Sequence, residues 1–262
     1  MKSLLPSFFT IIAILLLASA CARPPAPVIP PAPTPFDLGL LKERSEYWRD
    51  FQSRFRLKVE SKTTRFNARS VVLVKGRYFA RFETFGPLGQ TAALFVSNEI
   101  GPALLVPSER VAFTARSPET LIRHFTGISL PFEIFRHTLT ASIPSDQLGS
   151  IETRMEGGIL HAISKAGTRT YDWHFSVSDG GAVLSGLEVS DRGFQARVVY
   201  EPPVALSTAA VPGKIRISST EWNMEVTAEE FEPAREFQPS VFYLPNLPGT
   251  RMVDLDKISE HR

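Results

Sequence analysis

The stretch Arg77-Tyr78-Phe79-Ala80-Arg81-Phe82-Glu83-Thr84-Phe85-Gly86-Pro87-Leu88-Gly89-Gln90-Thr91-Ala92-Ala93-Leu94-Phe95-Val96 decides how the chain folds. Its first half alternates: Tyr78, Ala80 and Phe82 point one way, and Arg77, Arg81 and Glu83 the other. That period of two is a strand with one apolar face. Gln90 to Val96 reads as the partner strand. Between them, Pro87 suits position i+1 of a type I turn and Gly89 suits i+3. Leu88 is thereby placed at the tip, where a tight turn offers a side chain little cover. Two readings follow. Either Leu88 folds back on its own sheet, or it is an apolar finger meant for a membrane or an acyl chain.

The N-terminus reads as an export signal. Lys2 is its positive charge, and Phe8 to Leu17 form an apolar core too short to span a bilayer. Ala18-Ser19-Ala20-Cys21 resembles a bacterial lipobox, with Ala18 where the pattern usually has Leu. Cys21 is the single cysteine, so no disulfide can form within the chain, and lipidation is its expected use. Ala22 rather than Asp after it implies sorting to the outer membrane. From Pro24 to Pro35, seven of twelve residues are proline. An extended polyproline segment of that length reaches on the order of 35 Å at about 3.1 Å per residue. Residues 1–20 are thus a lipoprotein signal peptide, 21–36 a lipidated Cys with a proline-rich tether, and 37–262 one folded domain.

Lys2 is the one charged residue in the signal, so its removal takes the formal charge from +2 to +1. That small balance gives no electrostatic case for nucleic acid. About 225 residues follow the tether, enough for one domain with a sizeable core. Nineteen Phe against five Tyr and three Trp favour a greasy interior over a polar aromatic groove.

Leu38 to Phe51 reads as an amphipathic helix. Strand patterns follow: Phe55, Leu57 and Val59 point inward, then come Arg65 to Val74, the two strands of the opening hairpin, Ala103 to Val106 and Arg110 to Ala115. The period then switches. Ser117 is a helix N-cap, Pro118 suits the first turn and Gly127 the stop; Pro131 opens a second helix with Phe132, Phe135 and Leu139 on one face. Strands resume, punctuated by Glu156-Gly157-Gly158, Asp179-Gly180-Gly181 and Asp191-Arg192-Gly193. The sum is a mainly antiparallel β fold of about ten or eleven strands with a few helices. A sheet that large curls, and curled about its apolar face it encloses a cavity with the helices as lid or plug. Phe55, Leu57, Tyr78, Phe82, Trp173 and Trp222 on strands, and Leu121, Phe125, Phe132 and Phe135 on helices, are the candidates for its lining.

Three stretches carry a family likeness: Phe85-Gly86-Pro87-Leu88-Gly89-Gln90, the spacing of Leu121, Gly127 and Pro131, and the helix leading to Ile143-Pro144. With the lipobox and the Trp48 helix, they make the sequence resemble the LolB family of outer-membrane lipoprotein receptors and, more distantly, its LolA-type periplasmic carrier relatives. Thr138-Leu139-Thr140-Ala141 and Ser53-Arg54 depart from the family pattern, and a longer tail follows Phe242. The resemblance implies a strongly curved, unclosed β-barrel whose cavity takes the acyl chains of other lipoproteins. It implies a monomer on the periplasmic side of a Gram-negative outer membrane, anchored by its own acyl chains on Cys21, that receives clients from a LolA-like carrier and inserts them. The Pro87-Leu88-Gly89 loop maps onto the family's membrane-insertion loop.

Burying a CH₂ is worth about 0.8 kcal/mol, so one long acyl chain is worth on the order of 10 kcal/mol. Such transfer breaks no bond and needs neither catalytic group nor cofactor. The five histidines (His124, His137, His161, His174, His261) have no metal-binding spacing, and neither H-E-x-x-H nor G-x-S-x-G occurs. No enzyme and no metal is expected. The other reading is an envelope lipoprotein of the same fold that binds a lipid, glycan or protein partner without inserting anything. Arg54, Arg56, Arg81 and Arg197 are either a solvated surface or a docking site for an acidic carrier.

Overall fold

A computed structural model describes residues 38–62, 65–127, 131–178, 181–206, 209–233 and 236–259. The signal segment, Cys21 and the tether lie outside the described residues, as do Asp179, Gly180 and His261. The described residues belong to one compact unit, Pro33–Arg262.

Helix α1 (Leu38–Tyr47) precedes six strands: β1 (Phe51–Ser61), β2 (Arg65–Lys75), β3 (Phe79–Phe85), β4 (Thr91–Asn98), β5 (Gly101–Val106) and β6 (Val111–Thr114). Helices α2 (Pro118–Thr126), α3 (Phe132–Thr140) and the single turn α4 (Ser145–Leu148) follow. Then come β7 (Glu152–Glu156), β8 (Ile159–Ala166), β9 (Arg169–Ser178), β10 (Gly181–Asp191), β11 (Phe194–Tyr200), β12 (Pro203–Leu206), β13 (Ala209–Pro212), β14 (Lys214–Ser219) and β15 (Trp222–Pro233). A 3₁₀ turn (Pro239–Phe242), β16 (Arg251–Asp254) and α5 (Leu255–Ser259) are the last elements of the described residues.

Fourteen strands form one sheet in the order β16-β6-β5-β4-β3-β2-β1-β15-β14-β11-β10-β9-β8-β7, and β12 pairs with β13. The end strands β16 and β7 are not neighbours, so the sheet is curved but unclosed. The strand count exceeds the ten or eleven expected. All five residues of β7 are exposed, so no alternation marks it. β16 is a four-residue strand from the tail, and it pairs with β6 in parallel, the exception to the antiparallel expectation. β1 lies between β2 and β15, joining the two halves of the sheet. Its alternation is the expected one: Phe51, Phe55 and Val59 are buried, whereas Gln52, Arg54 and Arg56 are exposed.

Helix α1 ends at Tyr47 rather than running to Phe51. Phe51 instead opens β1 and stacks on Phe231 at 5.1 Å, and Trp48 meets the same ring edge-on at 4.7 Å. The apolar residues at 47, 48 and 51 have helical spacing, but the ladder between β1 and β15 claims the last of them. α2 is capped as the sequence predicts. Ser117 Oγ accepts from the Thr120 N–H at 3.3 Å, and Gly127, at φ 71°, donates to the Arg123 carbonyl at 2.9 Å. Glu119 then accepts from the Phe132 N–H at 2.9 Å, tying the first turn of α2 to the start of α3. At the far end of α3, Ala141 takes the left-handed conformation, φ 47°, at the departure from the family pattern. Arg44 on α1 donates to the Thr140 and Ala141 carbonyls there, at 2.8 and 3.0 Å.

The principal core gathers Phe55, Trp173, Trp222 and their neighbours. A smaller cluster of Ala80, Phe95, Leu121, Phe132 and Leu255 sits between the first half of the sheet and the helices. The other face of β4 to β6 is also covered, by Leu94, Val96 and Leu105 with Leu244 of the tail. Among the described residues no helix is long and apolar enough to cross a membrane.

Candidate functional site: an apolar cavity and a leucine-tipped hairpin

The inner faces of β1 to β5 meet α2 and α3 around a cavity of about 150 Å³. Leu57, Phe82 and Phe95 project from the sheet, while Leu121, Phe125, Phe132 and Phe135 come from the helices. Phe82 is central. Its ring lies 5.5 Å from Phe135, 5.9 Å from Phe132 and 6.0 Å from Phe95. The one polar side chain in the wall, Thr126, spends its hydroxyl on the Ile122 carbonyl at 2.6 Å. What remains is hydrocarbon, the lining that suits an aliphatic guest and repels water.

Of the residues expected here from the sequence, Leu57, Phe82, Leu121, Phe125, Phe132 and Phe135 line the cavity. Phe55, Trp173 and Trp222 do not: they are at most 4% exposed in the solid core. Tyr78 is 66% exposed, because the turn from β2 to β3 runs to Tyr78 and the strand alternation starts only at Phe79. Val59, Phe66, Phe95, Leu104, Ile122, Thr126 and Met224 also line it, beyond the residues expected from the sequence. Phe95 was within reach of pattern alone, since the hairpin register pairs it with Phe82.

A cavity of this size accepts a guest about as large as benzene. A full acyl chain needs more room than that. Helix α2 is the less anchored wall: Leu121 is its one buried residue, and Phe125 is 37% exposed.

The hairpin joining β3 to β4 closes as the sequence predicts. Gly89 donates to the Gly86 carbonyl at 3.0 Å, and Gly86 donates to the Gln90 carbonyl at 2.8 Å. Gly89 has φ 80°, where a β-carbon would be strained. The Gln90 side chain folds under the turn and accepts from the Leu88 N–H at 3.1 Å. A β-carbon on Gly86 would come within 2.6 Å of that amide, so a larger residue there would push the Gln90 side chain out from under the turn. The backbone of the tip is thus tied down while the Leu88 side chain is 92% exposed. Leu88 does not fold back on its sheet.

Beside the hairpin, Arg54, Arg56 and Arg69 line a groove of about 680 Å³ with Phe85, Pro87 and Glu229. It is larger than the apolar cavity, but its charged walls suit water rather than an acyl chain. Arg54 pairs with Glu230 at 2.9 Å and Arg56 with Glu229 at 3.1 Å. Arg81 belongs elsewhere: it donates to Glu83 at 2.7 Å and to the Val241 carbonyl at 3.1 Å, so it anchors the tail. Arg197 faces Glu188 at 3.7 Å on the second half of the sheet.

These features converge with two comparisons. The sequence matches the family model for the outer membrane lipoprotein LolB over residues 49–174, just under half of the chain. The fold is LolA/LolB-like. A LolA superfamily protein from Nitrosomonas europaea superposes with a TM-score of 0.53 at 10% identity, covering 80% of this chain and 98% of that one. A Vibrio parahaemolyticus structure described as an outer membrane lipoprotein-sorting protein domain gives 0.50 at 12% identity, covering 78% and 95%. A DUF1329 family protein from Desulfovibrio piger ATCC 29098 gives 0.54 at 9% identity, covering 79% and 95%. No curated protein matches the sequence. The matched residues of the LolB model hold the hairpin, α2, α3 and every cavity-lining residue except Met224.

Proposed function

We propose that this chain is an outer-membrane lipoprotein, anchored through Cys21 and facing the periplasm, that takes acylated lipoproteins from a soluble carrier and inserts them into the membrane. The observation that carries the reading is Leu88, 92% exposed on a hairpin turn held by three hydrogen bonds. A large apolar side chain held out on a constrained turn is placed where a lipid surface would cover it. The apolar cavity supports the same reading, since acyl chains leaving a carrier need a hydrocarbon lining before they reach the bilayer. No step breaks a covalent bond, so the mechanism requires binding and release alone.

The small cavity supports a second reading, an envelope lipoprotein of the same fold that binds a partner without inserting clients. Complementation of cells depleted of their own receptor separates the two. Wild type is expected to restore outer-membrane lipoproteins, and a folded, correctly localised Leu88→Glu is expected not to. Rescue by both would remove the role assigned to Leu88. Failure of a correctly localised wild type would favour the second reading.

A further inference from the structure

We propose that His161, Asp172 and His174 form a binding site for a divalent transition-metal ion of the zinc type, on the sheet face opposite the core. His161 lies on β8 and the other two on β9, where register sets His161 directly across from His174. Asp172 and His174 are two residues apart on one strand, so both share that face. Tyr171, Trp173 and Phe175 alternate with them into the core and hold the strand rigidly. One imidazole nitrogen from each histidine and one carboxylate oxygen lie within 4.8 Å of one another. His161 Nδ1 is 3.0 Å from Asp172 Oδ1, and His174 Nε2 is 3.6 Å from the same oxygen. Metal–donor bonds of about 2.0–2.1 Å in a tetrahedron put donors roughly 3.3 Å apart, between those two distances. Two imidazoles and one carboxylate match the preferences of zinc and its neighbours and leave a fourth position open.

The surroundings are shaped for the ring. The residue paired with His174 on β10 is Gly186, and a β-carbon there would lie 3.4 Å from His174 Nδ1 and 3.1 Å from the Val198 carbonyl oxygen. A bulge between Leu184 and Gly186 sets Ser185 aside, and its hydroxyl donates to the His174 carbonyl at 3.0 Å. The three side chains are 13–20% exposed, sheltered yet reachable by an ion. Arg154, paired with His161 across β7, faces Glu156 at 3.5 Å. Such an ion would clip β8 to β9 near the open end of the sheet, far in sequence from the hairpin and α2.

Calorimetric titration of the untagged full chain with Zn²⁺, alongside the visible spectrum with Co²⁺, tests the site. The expected result is one ion per chain and the absorption of four-coordinate cobalt. His161→Gln, His174→Gln and Asp172→Asn should each weaken binding roughly tenfold or more with an unchanged circular dichroism spectrum. Asp172→Asn is nearly isosteric and keeps the test readable if a histidine variant fails to fold. Absence of stoichiometric binding in folded wild type overturns the proposal, as does binding that survives undiminished in the variants.

Discussion

His137 shows how a single residue ties the fold to pH. It is buried on α3, and its ring is held from both sides. Arg136 Nη2 lies 2.9 Å from Nε2, and a guanidinium only donates, so Nε2 accepts. Nδ1 therefore carries the proton and donates to Ser142 Oγ at 2.8 Å. Burial first, and the Arg136 charge second, push its pKa from 6.5 to about 3. Between those values the unfolded chain binds a proton that the folded chain refuses, so stability is complete above pH 6.5 and falls as the pH drops. At pH 5 the loss from this group is about 2 kcal/mol. Chemical denaturation at pH 7 and pH 5 checks it: His137→Gln should lose about 2 kcal/mol less than wild type across that interval. An equal loss in both would show that other groups govern the acid response. The sequence around His137 gives no sign of this burial; only the packing of α3 reveals how far its ring is from water.

At the scale of elements, the tail is the least expected piece. Phe242 is fully buried against Phe79 at 5.5 Å and Phe237 at 5.7 Å. Its carbonyl accepts from Asn98 Nδ2 at 2.9 Å, and the Arg81 guanidinium holds the preceding carbonyl. Beyond it the chain adds β16 to the sheet edge beside β6. The tail is thus a strap over the outer face of β3 and β4, the strands that carry the Leu88 turn. Phe242→Ala should cost about 3–5 kcal/mol, the usual loss for a buried phenylalanine, read from the shift of the urea midpoint. An unchanged midpoint would mean that the strap folds apart from the sheet. The hairpin it supports was legible beforehand, because proline and glycine dictate their own turn geometry within four residues. The strap was not: Phe242-Tyr243-Leu244-Pro245 carries no period, and its partners are some 140 to 160 residues away.

For the whole molecule, the central quantity is how much hydrocarbon the cavity can take. Its present volume, about 150 Å³, is small beside an acyl chain, and the thinly anchored α2 forms one wall. Ile122, half-buried on that wall, reports on access. Ile122→Glu should weaken binding of a fluorescent fatty acid more than tenfold, about 1.4 kcal/mol or more, while the far-ultraviolet circular dichroism stays unchanged. Equal affinity in the folded variant would place the guest elsewhere. The sequence by itself determined the antiparallel class, the helix caps at Ser117 and Gly127, the turn at Pro87 and Gly89, and half of the apolar side chains that line the cavity. These are local properties, set by backbone chemistry and by the period of polar and apolar residues. Tertiary structure alone decided which of those apolar residues border open space and which fill the core, as with Phe82 against Trp173. It also decided that Leu88 stands free, that the sheet gains a parallel edge strand, and that His161 and His174 face each other. Each depends on register and on contacts between distant segments, which the order of residues encodes only through the folded chain.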